Sequence, residues 1–300
     1  MADGDRVSVA TVRSIFVYPI KSCRGLSLPE APISSTGVSV GSAMASGELR
    51  RQDILKELNQ SLLLFKWNFQ VKHFLPWIGA PGMSVLKVSL AKSREKVEGV
   101  SVWEWTGSVI DEGADASQWF SNYLGKPSRL VRFNDASEVR NVDPDYAGGY
   151  KVMFADGYPY LLLSQGSLNA LNALLKEPIS ASRFRPNILV DGCEPFSEDL
   201  WTDIRINKAT FRGVKLCSRC KVPTINQETA VGGSEPTKTL MSFRSDRVLR
   251  PDKKKPQGKV YFGQNMVCND TVSEGNRKSI KVGDPIFVLN MVPSAADAAA

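Results

Sequence analysis

The sequence predicts a mainly β protein with α-helical additions (α+β), arranged as barrel-like or sandwich-like β domains. Three observations predict it. Short runs dense in β-branched and aromatic residues recur between turn signals along most of the chain. A period-2 pattern broken by a hairpin turn occupies the C-terminal third. Few segments carry helical spacing, and short strands at this density point to barrels or sandwiches.

The elements follow in order. Residues 7–20 (VSVATVRSIFVYPI) read as a strand, closed by Pro19 and the polar KSCRG turn. Residues 85–90 (VLKVSL) and 97–105 (VEGVSVWEW) are two further strand candidates. Residues 114–124 (ADASQWFSNYL) place Ala116, Trp119, Phe120, Tyr123 and Leu124 on one helical face, and Gly125 with Pro127 supplies the stop. A short strand, RLVRF, comes next. Residues 164–175 repeat the helical spacing with Leu168, Leu171, Leu174 and Leu175 on one side, serines available as caps and Pro178 as the end. The chain then turns to β: RPNILVDG, DIRINKATFRGVKL alternating around an Asn207-Lys208 turn, KVYFGQNMV and IKVGDPIFVL. One segment conflicts with its neighbours: residues 51–65 (RQDILKELNQSLLLF) put Ile54, Leu55, Leu58 and Leu62 at helical spacing among strands. An Ala/Asp-rich tail, residues 293–300, is expected to be disordered.

At 300 residues the chain suits one large domain or two moderate ones sharing an interface, and 42% hydrophobic residues suffice for a sizeable core. Its 38 Lys+Arg against 31 Asp+Glu leave a charge of +7, which attracts phosphates, acidic partners or anionic headgroups. No long single-sign block forms a nucleic-acid arm; the lysine triplet at 253–255 is flanked by prolines and reads as a solvated loop. The longest apolar run near the front, Leu62 to Phe65, falls far short of the ~18 residues of a membrane helix, so no transmembrane segment is expected. The first residues carry neither an apolar signal core nor a transit-peptide pattern, and the protein is expected not to be secreted. Five cysteines, an odd number, then read as reduced thiols.

Residues 215–224, KLCSRCKVPT, concentrate the chemistry. Two thiols stand three residues apart with Arg219 between them and Lys215 and Lys221 flanking. Structural zinc would need two more ligands, but Cys23, Cys193 and Cys268 are isolated and His73 is the only histidine. A thioredoxin-type pair would use the cations to favour thiolate, but such pairs start helices, and these cysteines end a strand before Pro223. A third reading is one thiolate on a soft metal whose other ligands belong to an anionic organic cofactor. Two ordinary cysteines at a strand end is the fourth.

Six motifs in order, Tyr18-Pro-Ile-Lys-Ser-Cys-Arg-Gly25, Arg183-Phe-Arg-Pro-Asn-Ile188, Asp191-Gly-Cys193, Cys217-Ser-Arg-Cys220, Tyr261-Phe-Gly-Gln264 and Lys281-Val-Gly-Asp284, carry a resemblance across residues 12–40 and 83–290. The chain resembles MOSC-domain proteins of the mitochondrial amidoxime-reducing component type, which are related to the C-terminal domain of molybdenum-cofactor sulfurase. The resemblance implies a MOSC β-barrel over residues 127–292 preceded by a MOSC-associated β domain over 1–126, with a molybdenum-molybdopterin cofactor between them. It places molybdenum on Cys220, with Cys217 in support and Ser218 beside the cofactor. Lys21 and Ser22 match the family's phosphate-side pair, Arg185 and Asn187 its pterin-side pair, and Asp156 the acidic residue near the metal.

The implied reaction is reduction of an N-hydroxylated substrate: two electrons and two protons enter, and amine and water leave. No GxGxxG follows a strand to hold flavin or nicotinamide, so electrons are expected from a partner. The family uses a cytochrome b5 type donor and its NADH-dependent reductase, whose acidic surface suits a +7 protein. The implied location is cytoplasmic or peripheral on the mitochondrial outer membrane. Residues 42–77 depart from the family pattern, which continues there through an Arg-x-Trp-x-Arg-like strand; neither Arg50 nor Arg51 matches its cofactor-holding arginine. That segment is either a lineage-specific replacement or the product of a mis-spliced gene, and the helical spacing among strands favours the second. Two rival functions follow: a non-catalytic cofactor carrier, and a sulfur carrier using a persulfide on Cys217 or Cys220. The sulfurase's pyridoxal-phosphate domain has no room in this chain.

Overall fold

The computed structural model describes residues 7–38, 44–47, 66–68, 77–80, 82–88, 95–102, 104–229, 231–252, 254–269 and 278–298. Its centre is a seven-stranded barrel. Strands β1 (Ala10–Val17), β12 (Tyr160–Ser164), β13 (Ile188–Asp191), β14 (Trp201–Ile206), β15 (Ala209–Ser218), β16 (Tyr261–Cys268) and β18 (Pro285–Met291) run in the order β13-β12-β16-β15-β14-β18-β1, and β1 closes the ring on β13. Most neighbours are antiparallel; β12 and β13 are parallel and are joined across α3 (Gln165–Asn172). The interior is filled by alternate residues of each strand, among them Val12, Ile15, Leu162, Ile188, Ile204, Phe211 and Met266. In β1 the inward set shifts parity, from Ala10 and Val12 to Ile15 and Val17, because a bulge between Val12 and Ser14 inserts one residue against β13.

The expected hairpin around Asn207-Lys208 joins β14 to β15, and Asn207 takes the left-handed conformation (φ 52°) that the tight turn demands. The expected strand over 97–105 is two, β9 (Lys96–Val102) and β10 (Trp105–Asp111), folded back on each other. With β11 (Arg129–Phe133) and β5 (Met44–Gly47) they form a second sheet in the order β5-β11-β10-β9. Helix α1 (Ala114–Leu124) packs Ala116, Trp119 and Phe120 onto it and stops at Gly125 (φ 69°), as its spacing predicts. The expected helix over 164–175 starts on the Ser164 cap but ends at Asn172, whose carboxamide clasps both backbone groups of Ile179 and turns the chain away.

The sheets are shared between the two segments: β1 from the front segment completes the barrel, whereas β11, beyond residue 127, belongs to the front sheet. Strand pairing across more than 170 residues is invisible to a cut made along the chain. Residues 295–298, expected in a disordered tail, form a helical turn, α6 (Ala295–Ala298), held by the Ser294 hydroxyl on Asp297 and by Ala298 packed near Leu216 and Tyr261. Of the strand expected over residues 85–90, the described residues 85–88 contain the two-residue β8 (Leu86–Lys87). The helical spacing over residues 51–65 lies outside the described residues, and the described parts of 42–77 are β5, β6 (Lys66–Asn68) and the start of β7 (Trp77–Gly79). Among the described residues no helix is long and apolar enough to cross a membrane.

Candidate functional site

A cleft of about 480 Å³ opens at the barrel rim where β1 and β15 end and β12 and β13 begin. All seven residues singled out from sequence, Lys21, Ser22, Asp156, Arg185, Asn187, Ser218 and Cys220, line it. They come from four loops that the strand order brings to one end of the barrel.

One wall is built from residues 17–25 and 184–187. Ile20 and Cys23 are buried in the core under α1, and the Cys23 N–H closes a turn on the Ile20 carbonyl at 3.2 Å. Ser22, at φ 67°, makes that turn possible, so Lys21 and Ser22 project from a loop nailed down on both sides. Arg185 is also left-handed (φ 57°), ending the 3₁₀ turn Ala181–Phe184. Its guanidinium lies 4.1 Å from the centre of the Tyr18 ring and donates to the Cys23 carbonyl at 2.5 Å. Tyr18 in turn donates its hydroxyl to the Pro186 carbonyl at 3.0 Å. Burial raises the Tyr18 phenol well above its ordinary range and pushes the Cys23 thiol up to about 12, against the pull of Arg185. Asn187 accepts from the Leu161 N–H at 3.0 Å and donates to the Phe16 carbonyl at 3.4 Å, tying β12, β13 and β1 together. Its carboxamide is therefore a brace of the rim.

The other wall comes from residues 153–158 and 215–220. Lys21 reaches across to it, donating to the Phe154 carbonyl at 3.0 Å and pairing with Asp156 at 2.5 Å, although Asp156 itself is largely exposed. Behind this loop the buried Arg140 donates to the carbonyls of Met153 (2.9 Å), Ala155 (2.5 Å) and Asp156 (2.7 Å). Arg219 does not reach Cys220: it donates to Cys217 Sγ at 3.0 Å and to the Phe184 carbonyl at 2.8 Å. Cys220 is half-buried with its thiol free. Lys215 also opens on the cleft, its ammonium 3.4 Å from the centre of the Tyr146 ring.

Sequence reasoning missed Arg140, which carries no local signal, and treated Lys215 only as a cation flanking the thiols. No period marks Lys215: a bulge between Gly213 and Lys215 shifts the inward set of β15 from Ala209, Phe211 and Gly213 to Leu216, and leaves Lys215 opposite Asn265 at the cleft.

Among the described residues no three His, Cys, Asp or Glu side chains cluster, so a metal held by side chains alone does not fit. The donor set is two half-buried thiols, Cys217 held by Arg219 and Cys220 without that contact, in a cleft lined by Lys21, Arg185, Lys215 and Arg219. That set fits a soft metal arriving with its own sulfur ligands on an anionic organic molecule, since one thiolate completes the metal and the cations answer the anion.

Barrel and rim together define a β-barrel protein with cysteine thiols in a cationic cleft. The chain belongs to the MOSC-domain family: residues 149–287 match the MOSC domain, and residues 9–43 and 60–127 the MOSC N-terminal beta barrel domain. It is 30% identical over 94% of its length to mitochondrial amidoxime reducing component 2 of Bos taurus, covering 84% of that protein. It is 29% identical over 94% of its length to mitochondrial amidoxime-reducing component 1 of Homo sapiens, covering 83% of it. To the molybdenum cofactor sulfurase of Oryza sativa subsp. japonica it is 29% identical, again over 94% of its own length but 36% of that protein.

Proposed function

We propose that this protein is a molybdenum-dependent oxidoreductase that reduces N-hydroxylated compounds of the amidoxime and hydroxylamine type, with electrons from a cytochrome b5 type donor and its NADH-dependent reductase. The observation that carries the reading is the thiol of Cys220 in a cationic cleft that, among the described residues, gathers no group of three His, Cys, Asp or Glu side chains to hold a metal by themselves. The names of the amidoxime-reducing relatives support the substrate class.

Cys220 would hold the molybdenum, while Lys21, Ser22, Arg185 and Ser218 would face the organic part and Asn187 would keep the rim in register. The bound molybdopterin supplies the two-electron redox chemistry. The chain supplies position and protons. Asp156, exposed at the mouth and oriented by Lys21, carries a proton from solvent to the leaving oxygen. Arg140 fixes the loop that presents it. Over the reaction the N–O bond breaks, two electrons and two protons are taken up, and amine and water leave. The location that suits this reading is the cytoplasm or the mitochondrial outer-membrane surface.

The test is molybdenum per chain, by elemental analysis, on wild type and Cys220→Ala purified from a host that makes the cofactor. Near-stoichiometric metal in the wild type, lost in a variant of unchanged melting temperature, is expected. Absence of metal from both, or retention in the variant, overturns the reading.

A further inference from the structure

The cations of the cleft differ in what their N–H groups already hold. Lys21 is occupied by Asp156 and the Phe154 carbonyl, Arg185 by the Cys23 carbonyl, and Arg219 by Cys217 and the Phe184 carbonyl. Lys215 is the exception: among the described residues no acceptor hydrogen-bonds or ion-pairs with its ammonium. Its neighbours are the Tyr146 ring at 3.4 Å and the Tyr158 ring at 5.6 Å. An aromatic face attracts an ammonium without taking up its hydrogen bonds, so the rings orient the charge and leave its donors free.

Asp143 acts on Lys215 only at a distance, because its carboxylate caps the helical turn Pro144–Ala147 by accepting from the Asp145 N–H. Lys259 adds a second positive charge nearby. Burial weighs most against the charged form of Lys215, Asp143 and Cys217 oppose that effect electrostatically, and a half-buried ammonium with no acceptor bonded to it is costly. An oxyanion entering the cleft would supply the missing acceptor.

We infer that Lys215 is the anion anchor of the cleft, and that the compounds the protein selects are N-hydroxylated molecules carrying a carboxylate or phosphate. The substrate class rests on the reductase reading above; the anion anchor stands on the geometry alone. An oxyanion has two sources here, the acid group of a substrate or the phosphate of the cofactor. The substrate is favoured because Lys21 and Arg185, from the opposite wall, are the cations that match the phosphate-side and pterin-side positions.

Two arms test this on wild type, Lys215→Met and Lys215→Arg. In the first, inorganic phosphate is titrated calorimetrically. Binding by wild type, weakened about tenfold in Lys215→Met and kept in Lys215→Arg, is expected. No binding by wild type, or equal binding by Lys215→Met, overturns the anchor. In the second, a neutral aryl amidoxime and its para-carboxylate are compared. The ratio of their kcat/KM values is expected to favour the carboxylate and to fall about tenfold in Lys215→Met, with recovery in Lys215→Arg. An unchanged ratio accompanied by loss of molybdenum assigns the lysine to the cofactor's phosphate and overturns the substrate class. Turnover of neither compound by molybdenum-loaded wild type sinks the reductase reading, and the anchor is then judged on phosphate binding.

Discussion

The two walls of the cleft are built on opposite plans. The wall of residues 17–25 and 184–187 is tied together by its own polar groups: Tyr18 on Pro186, Arg185 on Tyr18 and Cys23, Asn187 on two neighbouring strands. The wall of residues 153–158 and 215–220 is braced from behind by Arg140 and keeps a thiol and an ammonium free at its face. A site that must hold a ligand in one geometry needs both, a rigid side that costs no reorganisation and a side with unspent donors. The comparison also separates the two thiols of residues 217–220: Arg219 engages Cys217 and leaves Cys220 available.

The contrast can be broken first at Arg140. Arg140→Leu removes the donor from three carbonyls of the loop, and a loss of about 3 kcal/mol of stability is expected in urea unfolding. A loss near zero would mean that the second wall does not depend on its rear brace. The first wall is tested by Gly25→Ala. A Cβ there would lie 2.8 Å from Cδ1 of the Tyr18 ring and closer still to Cε1, so overpacking of about 2 kcal/mol is expected by the same measurement. Tyr18→Phe should cost less, about 1 kcal/mol, because only the hydroxyl bond to Pro186 is lost and the ring keeps its stack on Arg185. A larger cost would show that the phenol matters to the wall beyond that bond.

The mildest test leaves the protein intact. Iodoacetamide at pH 8 is expected to label Cys217 and Cys220 first, read by peptide mass spectrometry. Cys23 is buried, and a thiol pushed up to about 12 stays protonated and unreactive at that pH. Prompt labelling of Cys23 would mean that the first wall opens in solution, against the bonds that tie it together.

Much of this site was legible before the fold. Lys21, Ser22, Arg185 and Ser218 were located by resemblance to motifs, and all four line the cleft. Cys220 and Asp156 were located by motif alone, and they line the same cleft. The bracing of strands by Asn187 was not legible, since its partners Phe16 and Leu161 come from segments far away in sequence.

The sequence by itself determined the local elements, because period and turn chemistry depend on neighbours along the chain: the alternation and left-handed Asn207 of the β14–β15 hairpin, the face and glycine stop of α1, the Ser164 cap. Tertiary structure alone decided which strand closes the barrel, where the sheets divide, what Arg140 holds and which cation is left unpaired. A period of two says which residues face inward but not which strand lies alongside. A cation likewise has no assigned partner until distant segments meet.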